Sequence, residues 1–436
     1  MEIYTEPIHG HYLVSAPSTG AVSLFSPAEY LAFQSVLREP EADRKVALRN
    51  LLFQHGCGEK QIESFSNIFL RKLEQQGWLR KERIDPETKN LQTIYFSITT
   101  KCNLSCIYCY IGDERRKPDF IMEYDDALII LKKIRESNPN ARLAVTGGEP
   151  LTHPDLFRIL DAIEEFNLSF SLGTNAVLAD DSFSEKLKQY KHLLFVQASL
   201  DGFTPEIHAI TRGNTFHETL KGIKNLIKHK IPLAIAPTLH EGNIHEIEDI
   251  ARFAYSNGCT LSPNHLRKFP HAPHGREISL KPESLRKCII ETFEKINHDF
   301  QRPVQLPAVT DSHCEQMFDT RCRYVCGNAG YTLDIDWNGD VYPCHLLRDP
   351  GFILGNILKE EFSVILERGR TSKTRVKAYE IPKCKSCAFV ATCAGGCRAS
   401  ALYTKGTLAA EDEYCEILYK FEVDKLFLRK DIPFHL

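Results

Sequence analysis

The stretch Lys101–Tyr110, KCNLSCIYCY, contains three cysteines, Cys102, Cys106 and Cys109, in the spacing C-x3-C-x2-C. It directly follows YFSIT, a β-rich segment that predicts a strand. Three thiolates bind only three irons of a four-iron cubane, so the remaining iron can bind a substrate or cofactor directly. Tetrahedral zinc would require a fourth Cys or His, and none follows within this loop. The spacing favours an iron–sulfur cluster with an open iron, and a structural zinc site is the alternative.

Around this loop, from Gln92 to about Pro303, β-rich segments alternate with amphipathic helical segments such as Asp125–Glu136 and His153–Phe166. The predicted strands after YFSIT are RLAV, FSLG, LLFVQAS, IPLAIAP and CTLSPN. This alternation predicts about six βα units, as in a parallel sheet or a barrel.

The cysteine loop, with Tyr108 before its last cysteine, resembles the signature loop of the radical S-adenosylmethionine (SAM) superfamily. At the end of the second predicted strand stands a segment similar to the one whose backbone holds the methionyl amino group of SAM in that superfamily. Its residues are Gly147, Gly148, Glu149 and Pro150. Glycine suits such a position because it lets the backbone approach a ligand closely.

Two further segments resemble the same superfamily: Gly173–Asn175, and Ser199–Gly202 followed by His208 and Thr211–Gly213. The resemblance implies that Asn175 and Ser199 contact SAM, that Arg212 pairs with its carboxylate, and that Tyr108 packs near its adenine. All of these segments end predicted strands, the edge at which βα folds bind ligands.

The resemblance implies an α/β fold in which residues 86–310 form a partial (β/α)6 TIM-like barrel. It further implies a [4Fe-4S] cluster at Cys102, Cys106 and Cys109. By that analogy the reduced cluster splits SAM into methionine and a 5′-deoxyadenosyl radical, which removes a hydrogen atom from the substrate.

The C-terminal third carries a second pattern, Cys326-x12-Gly339-x4-Cys344, then Cys384-x2-Cys387-x5-Cys393-x3-Cys397, then Cys415. It resembles a SPASM domain, here residues 311–436, a loop-rich extension that holds two auxiliary [4Fe-4S] clusters in radical SAM enzymes. The resemblance implies an outer cluster on Cys384, Cys387, Cys393 and Cys415. It implies an inner cluster on Cys326, Cys344 and Cys397.

The fourth ligand of the inner cluster is open: we expect Cys322, with Cys314 or an unliganded iron as alternatives. Structural zinc knuckles are the alternative for the whole cysteine set, because C-x2-C spacing also suits tetrahedral zinc. In sulfatase-maturing relatives an Asp follows the cysteine that stands here at position 344, whereas this chain has His345. This departure counts against formylglycine formation, and His345 is a candidate proton acceptor.

Residues 1–85 form a third module, with extended segments followed by three predicted helices. The first helix begins at Ser26-Pro27, where Ser26 and Glu29 make a capping-box pattern. The module resembles the winged-helix-like α+β peptide-recognition element related to the peptide chaperone of pyrroloquinoline quinone biosynthesis, PqqD. Such modules bind a leader peptide as an added strand at a sheet edge. Its alternative is a generic helical cap over the barrel.

The bulk composition agrees with a folded chain, with 43% hydrophobic and 25% charged residues and a net charge of -3. Nothing in this balance points to nucleic acid. The opening residues lack a signal-peptide pattern and no long apolar run suggests a membrane span, so we expect a cytoplasmic protein. In reducing cytosol, 15 cysteines indicate metal or redox chemistry rather than disulfides.

Together these patterns predict a radical SAM/SPASM oxidoreductase that modifies a ribosomally made precursor peptide, by forming a thioether or carbon–carbon cross-link. We expect a leader peptide on residues 1–85 and a reducing partner such as flavodoxin or ferredoxin. Two alternatives remain: a maturase of a protein substrate, of the sulfatase-maturase or quinone-cofactor type, and a non-enzymatic zinc-binding scaffold.

Overall fold

The computed structural model describes residues 2–16, 19–79, 91–112, 119–270 and 325–428, with separate positions between 272 and 299. The predicted linker at 81–90, and both Cys314 and Cys322, lie outside the described residues. No helix within these ranges has the length and apolarity needed to cross a membrane.

The N-terminal part is an antiparallel sheet followed by three helices, as the sequence predicts. The sheet has the order β1 (Tyr4–Ile8), β2 (His11–Ala16) and β3 (Ala21–Phe25). The first of these strands was not predicted; it contains Pro7, which an edge strand tolerates because its missing N–H is not needed there.

The three N-terminal helices are α1 (Pro27–Arg38), α2 (Arg44–Gln54) and α3 (Glu59–Gln75). The predicted capping box is present, since Ser26 accepts from the Glu29 N–H and Glu29 accepts from the Ser26 N–H. Phe25 stacks on Phe33, and the Trp78 ring meets Phe33 edge-on at 4.6 Å. This aromatic cluster forms the core of the N-terminal part.

The central part is built from parallel strands that alternate with helices. The strands, with their helices in chain order, are β4 (Thr93–Ser97), α4 (Tyr124–Ser137), β5 (Arg142–Thr146), α5 (Leu156–Glu165), β6 (Ser169–Thr174), α6 (Asp181–Leu187), β7 (Leu193–Ala198), α7 (Pro205–Arg212), α8 (Phe216–Lys228), β8 (Leu233–Ile235), β9 (Thr238–Leu239), α9 (Ile247–Ser256), β10 (Thr260–Leu261) and β11 (Asn264–His265). Six of them, β4 to β8 and β10, are parallel neighbours in the order β10-β8-β7-β6-β5-β4. This confirms the predicted six-unit α/β architecture.

The helices α4, α5, α8 and α9 each bury one mainly apolar face. In α5 the buried residues include Leu156, Ile159, Leu160 and Ile163, which follow the i, i+3, i+4, i+7 spacing of a single helical stripe. The segment predicted as one strand at residues 259–264 is divided: β10 pairs with β8 in the main sheet, whereas β11, which begins at Asn264, pairs with β9 in a separate two-stranded sheet.

The C-terminal part contains β12 (Thr332–Ile335), β13 (Asp340–Tyr342), β14 (Gly355–Asn356), and the helices α10 (Phe362–Arg370), α11 (Val390–Cys393), α12 (Arg398–Lys405) and α13 (Cys415–Leu428). The hairpin between β12 and β13 was predicted from Asn338-Gly339, and Gly339 has the positive φ of +81° that such a turn requires. Strand β12 also pairs in parallel with β4, so one nine-stranded sheet joins the central and C-terminal parts.

Candidate active site and auxiliary cluster sites

The cysteine loop leaves the C-terminal end of β4 and is held against α7 by the Ile107 N–H, which donates to the Thr211 carbonyl at 3.1 Å. Burial raises the pKa of the Cys102 thiol to about 11, and the nearby thiolates of Cys106 and Cys109 add to the rise. All three thiols are half-buried. Within the loop they are close enough to act on one another electrostatically, which fits a shared iron–sulfur cluster.

Gly147 and Gly148 pack directly against the chain that leads into the cysteine loop. A Cβ at Gly148 would lie 2.2 Å from the Lys101 carbonyl oxygen, and one at Gly147 would lie 2.3 Å from that of Thr99. The Gly148 N–H donates to Thr99 at 2.7 Å, and the Glu149 N–H donates to Lys101 at 2.8 Å. In this structure the close backbone approach that requires glycine is therefore to the cysteine loop itself.

Glu149 ties the end of β5 to the end of β6. Its carboxylate, 1% exposed, accepts from the Thr174 hydroxyl and the Asn175 N–H, both at 2.7 Å. Burial raises the pKa of Glu149 despite these donors. The Asn175 amide donates to Asn103 Oδ1 at 2.7 Å, so this residue also contacts the cysteine loop. Pro150 is buried at the start of the helical turn that follows Glu149.

A buried carboxylate, Asp201, organises the end of β7. Its Oδ2 accepts from the Tyr108 hydroxyl at 2.5 Å, Arg212 Nε at 2.7 Å and the Thr211 hydroxyl at 2.9 Å. Its Oδ1 accepts from the Thr238 N–H at 2.8 Å. Although burial opposes ionisation, Arg212 and these donors hold the pKa of Asp201 below its usual value. Through Tyr108, the network anchors the cysteine loop to Asp201 and to α7.

The structure gives Arg212 an internal partner in addition to its expected role toward SAM. Besides Asp201, it lies near Cys106, with Nη1 3.9 Å from Sγ, and its guanidinium carbon is 5.5 Å from the centre of the Tyr108 ring. Ser199 is half-buried, and its N–H donates to the Thr174 carbonyl at 3.1 Å. The predicted SAM-contacting residues therefore come together along the ends of β4 to β7.

Sequence reasoning did not assign roles to Asp201, Asn103 or Thr211. Asp201 lies in the quoted Ser199–Gly202 segment, so a polar residue at a strand end was visible there. Its hydrogen-bond partners could not be predicted, because they come from the cysteine loop and from α7. Asn103 lies between two cysteines and carries no pattern of its own.

The four cysteines expected to hold the outer cluster line one cavity. Cys384, Cys387, Cys393 and Cys415 surround it together with apolar side chains, including Phe389 and Leu418. Burial raises the pKa of the Cys384 thiol to about 11, and Cys415 and Cys387 raise it further. Four cysteines that line one apolar cavity supply the donor types of a cubane or of tetrahedral zinc.

Cys326, Cys344 and Cys397 form a second group. Burial raises the pKa of Cys344 well above its usual value, and the thiolates of Cys397 and Cys326 add to the rise. These three thiols fit the expected inner cluster. Its fourth ligand remains a prediction, because Cys322 and Cys314 lie outside the described residues.

His345 lies between the inner cysteines and the first cysteine loop. Its ring centre is 4.1 Å from that of Tyr95 in β4 and 5.6 Å from that of Tyr110, the residue after Cys109. Burial raises the pKa of Tyr110 to about 12. The histidine predicted as a proton acceptor is thus placed between the first and the inner cluster sites.

Comparison with known proteins identifies two domains in the chain. Residues 96–254 match the model of the radical SAM superfamily, and residues 326–388 match that of the SPASM iron-sulfur cluster-binding domain. An AdoMet-dependent heme synthase from Methanosarcina barkeri is 26% identical, covering 74% of this chain and 95% of that protein. The mycofactocin maturase MftC of Mycobacterium ulcerans is 24% identical, covering 73% of this chain and 86% of that protein.

A solved structure extends the likeness over most of the chain. Streptococcus suis SuiB bound to its precursor peptide SuiA covers 95% of this chain and 98% of that one, with a TM-score of 0.61 and 16% identity. A structure of SuiB bound to S-adenosylmethionine has a TM-score of 0.59. The fold is therefore shared. The cofactors of this chain are SAM, the [4Fe-4S] cluster that binds SAM, and auxiliary iron–sulfur clusters. On this evidence the chain contains a radical SAM domain, matched at residues 96–254, followed by a SPASM domain, matched at residues 326–388.

Proposed function

We propose that this chain is a peptide maturase, which oxidatively cross-links side chains of a ribosomally made precursor peptide in the cytoplasm. The observation that carries the proposal is the N-terminal part, a three-stranded sheet with three helices, joined to a radical SAM domain and a SPASM domain. Its fold likeness to SuiB, solved with a precursor peptide, includes this part, since it spans 95% of the chain.

In this proposal residues 1–85 bind the leader of the precursor, residues 86–310 form the catalytic domain and residues 311–436 hold the auxiliary clusters. The sheet has two edge strands, β1 and β3, at which a leader could add as a further strand. Most of the β1 side chains are exposed. The remainder of the peptide would then reach the ends of β4 to β7.

When bound, the first cluster and SAM together supply a 5′-deoxyadenosyl radical that removes a hydrogen atom from the substrate. Cys102, Cys106 and Cys109 would hold that cluster, and the backbone of Gly147–Pro150 would hold the amino group of SAM. Asn175 and Ser199 would contact SAM, Tyr108 would pack near its adenine, and Arg212 would face its carboxylate while paired with Asp201. The apolar sheet interior would exclude water from the reacting carbon.

The outer and inner cysteine sets, the inner one completed by Cys322, would hold the auxiliary clusters. When bound, these clusters would supply an acceptor for the electron that the oxidation releases. A cross-link that forms by loss of hydrogen also releases a proton. His345 is the proposed acceptor, because it lies between the first cysteine loop and Cys344. A flavodoxin or ferredoxin would supply the electron that starts each turnover.

A second candidate is a small-molecule substrate, favoured by the likeness to a heme synthase that covers 74% of this chain. The two candidates differ in what the N-terminal part does. A leader-binding role requires that a precursor peptide bind to residues 1–85, whereas a small-molecule enzyme has no such requirement.

The test begins with iron, acid-labile sulfide and zinc per chain after anaerobic purification, followed by 5′-deoxyadenosine formation from SAM with dithionite. We expect about twelve irons, four for each of three cubanes, and deoxyadenosine. Zinc without deoxyadenosine would contradict the enzyme proposal.

Peptides from short reading frames beside the gene are then tested for binding, for mass loss in steps of two hydrogens, and for competition by the leader half alone. Deoxyadenosine formation without binding of any such peptide would favour the small-molecule candidate.

A further inference from the structure

One buried acidic residue, Asp412, contacts both groups of auxiliary cysteines, the inner group through its side chain and the outer group through its backbone. It is 2% exposed, and its Oδ2 accepts from the backbone N–H of Cys397, an inner-cluster cysteine, at 2.6 Å. Its Oδ1 accepts from the Tyr414 N–H at 3.0 Å and the Ser400 hydroxyl at 3.1 Å. These bonds join the start of α12 to the segment that leads to Cys415.

Asp412 also lines the outer cavity together with the four outer cysteines, and its backbone carbonyl accepts from the Cys415 N–H at 3.0 Å. The backbone is shaped around it at Gly396, which has a φ of +75° and where an added Cβ would lie 2.5 Å from the Asp412 Cβ. A residue with a side chain at position 396 would displace the carboxylate. The local structure is therefore built to hold Asp412 at this place.

The counter-charge of Asp412 comes from the catalytic domain. Arg267, which follows β11, places Nη1 3.2 Å and 3.4 Å from the two carboxylate oxygens, and its side chain is 13% exposed. Arg267 and the donating N–H groups of Cys397 and Tyr414 supply the charge partner and the hydrogen bonds that an ionised carboxylate needs when it is buried. A second pair, Lys268 Nζ to Glu413 at 3.5 Å, joins the same two segments.

We propose that Asp412 is a positioning residue for both auxiliary clusters, and that its ion pair with Arg267 sets their reduction potentials. The carboxylate aligns the inner ligand Cys397 through its N–H and places one buried negative charge at the outer cluster. Arg267 balances that charge from the catalytic domain. The proposal requires the auxiliary clusters but no particular substrate, so it stands whether the substrate is a peptide or a small molecule.

Removing the charge of Asp412 and removing the charge of Arg267 should shift the reduction potential of the outer cluster in opposite directions. Reduction adds an electron to a cluster, which a nearby negative charge disfavours and a positive charge favours. Asp412→Asn removes the negative charge and keeps an oxygen that can accept from the Cys397 N–H. It should shift the outer auxiliary potential to more positive values. Arg267→Gln leaves the carboxylate unbalanced and should shift it to more negative values.

The experiment is an EPR-monitored redox titration of the reconstituted full-length protein, with iron per chain measured on each sample. Glu416→Gln is the matched control, because it removes an equal charge next to Cys415 from a side chain that is 75% exposed and screened by solvent. Arg267→Lys keeps the charge and should restore the wild-type potential. The spectrum of the first cluster with SAM reports whether the catalytic domain is intact.

Opposite shifts in the two neutralising variants, with no shift in Glu416→Gln, would support the proposal. Auxiliary potentials unchanged from wild type in both variants would overturn it. Shifts of the same sign in Asp412→Asn and Arg267→Gln would also overturn it. So would a loss of about four irons per chain in both variants with unchanged potentials of the remaining clusters. Either result would assign the pair a purely structural role. If Asp412→Asn does not fold, Arg267→Gln and Arg267→Lys still decide the question.

Discussion

Close packing at Gly147 and Gly148 joins the Gly147–Pro150 segment to the chain that leads into the cysteine loop. The sequence predicted that glycine would be needed at the Gly147–Pro150 segment, and the reason offered was approach to a ligand. The structure adds a different reason, because the nearest atoms to Gly147 and Gly148 belong to Thr99 and Lys101. That contact spans two strands, and no local pattern could have indicated it.

Gly148→Ala should lower the free energy of unfolding by about 1–3 kcal/mol, the usual cost of adding a methyl group to a tightly packed position. It should also weaken SAM binding, since the Glu149 N–H would lose its bond to Lys101. Gly173→Ala is the control: its nearest atom would be 3.8 Å away, an ordinary contact. Urea denaturation of the iron-free chains gives the first effect and equilibrium binding of SAM to reconstituted protein the second. Equal stability of the two variants would contradict the argument.

Among the elements, β12 shows what the sequence could and could not predict. Its hairpin with β13 was visible in the turn residues, and it formed as expected. Its parallel pairing with β4, from Thr332↔Thr93 to Ile335↔Phe96, joins segments far apart in the chain and leaves no local signal. No local signal indicates the ion pair at this junction either, which Arg348 forms with Asp334.

Arg348→Met should cost about 3–5 kcal/mol, because it leaves a buried carboxylate without its partner. Arg348 Nε lies 2.6 Å from Asp334, whose side chain is 0% exposed, and Arg348 also donates to the Ser97 hydroxyl in β4. Burial already raises the pKa of Asp334. Removing Arg348 would raise it further, so the deficit should shrink as the pH falls and Asp334 takes up a proton.

Trp337 gives the readout for this junction, because its ring stacks on Phe120 at 4.2 Å. The chain has only one other tryptophan, so Trp78→Phe isolates the signal. The matched control is Arg368→Met, which breaks an exposed pair with Glu360 and should cost no more than about 1 kcal/mol. Similar losses in the two variants, or a loss that does not depend on pH, would refute a buried charge at the junction.

For the whole molecule, the N-terminal sheet packs against the outer cluster site. Leu13 and Leu24, cross-strand partners in β2 and β3, are buried against Phe389 and Val423 of the C-terminal part. The Tyr419 hydroxyl in α13 donates to Glu6 in β1. The sequence of either module alone did not predict this contact, because the hydrophobic pattern of each module indicates only the core of that module. The proposed peptide-binding sheet and the outer cysteines therefore share one apolar interface.

Leu24→Ala should loosen this interface, at a cost of about 2–5 kcal/mol for truncating a buried leucine. The effect should reach α13, whose amide hydrogens should exchange faster, and the outer site should release iron before the other two. Val46→Ala, at a side chain in α2 that is 55% exposed, is the control and should change neither. Hydrogen exchange by mass spectrometry measures the effect on α13, and iron release during chelator treatment measures the effect on the outer site. Unchanged exchange in α13 would mean that the sheet and the outer site are stabilised independently. A leader peptide bound to the sheet could then not influence the outer cluster through this contact.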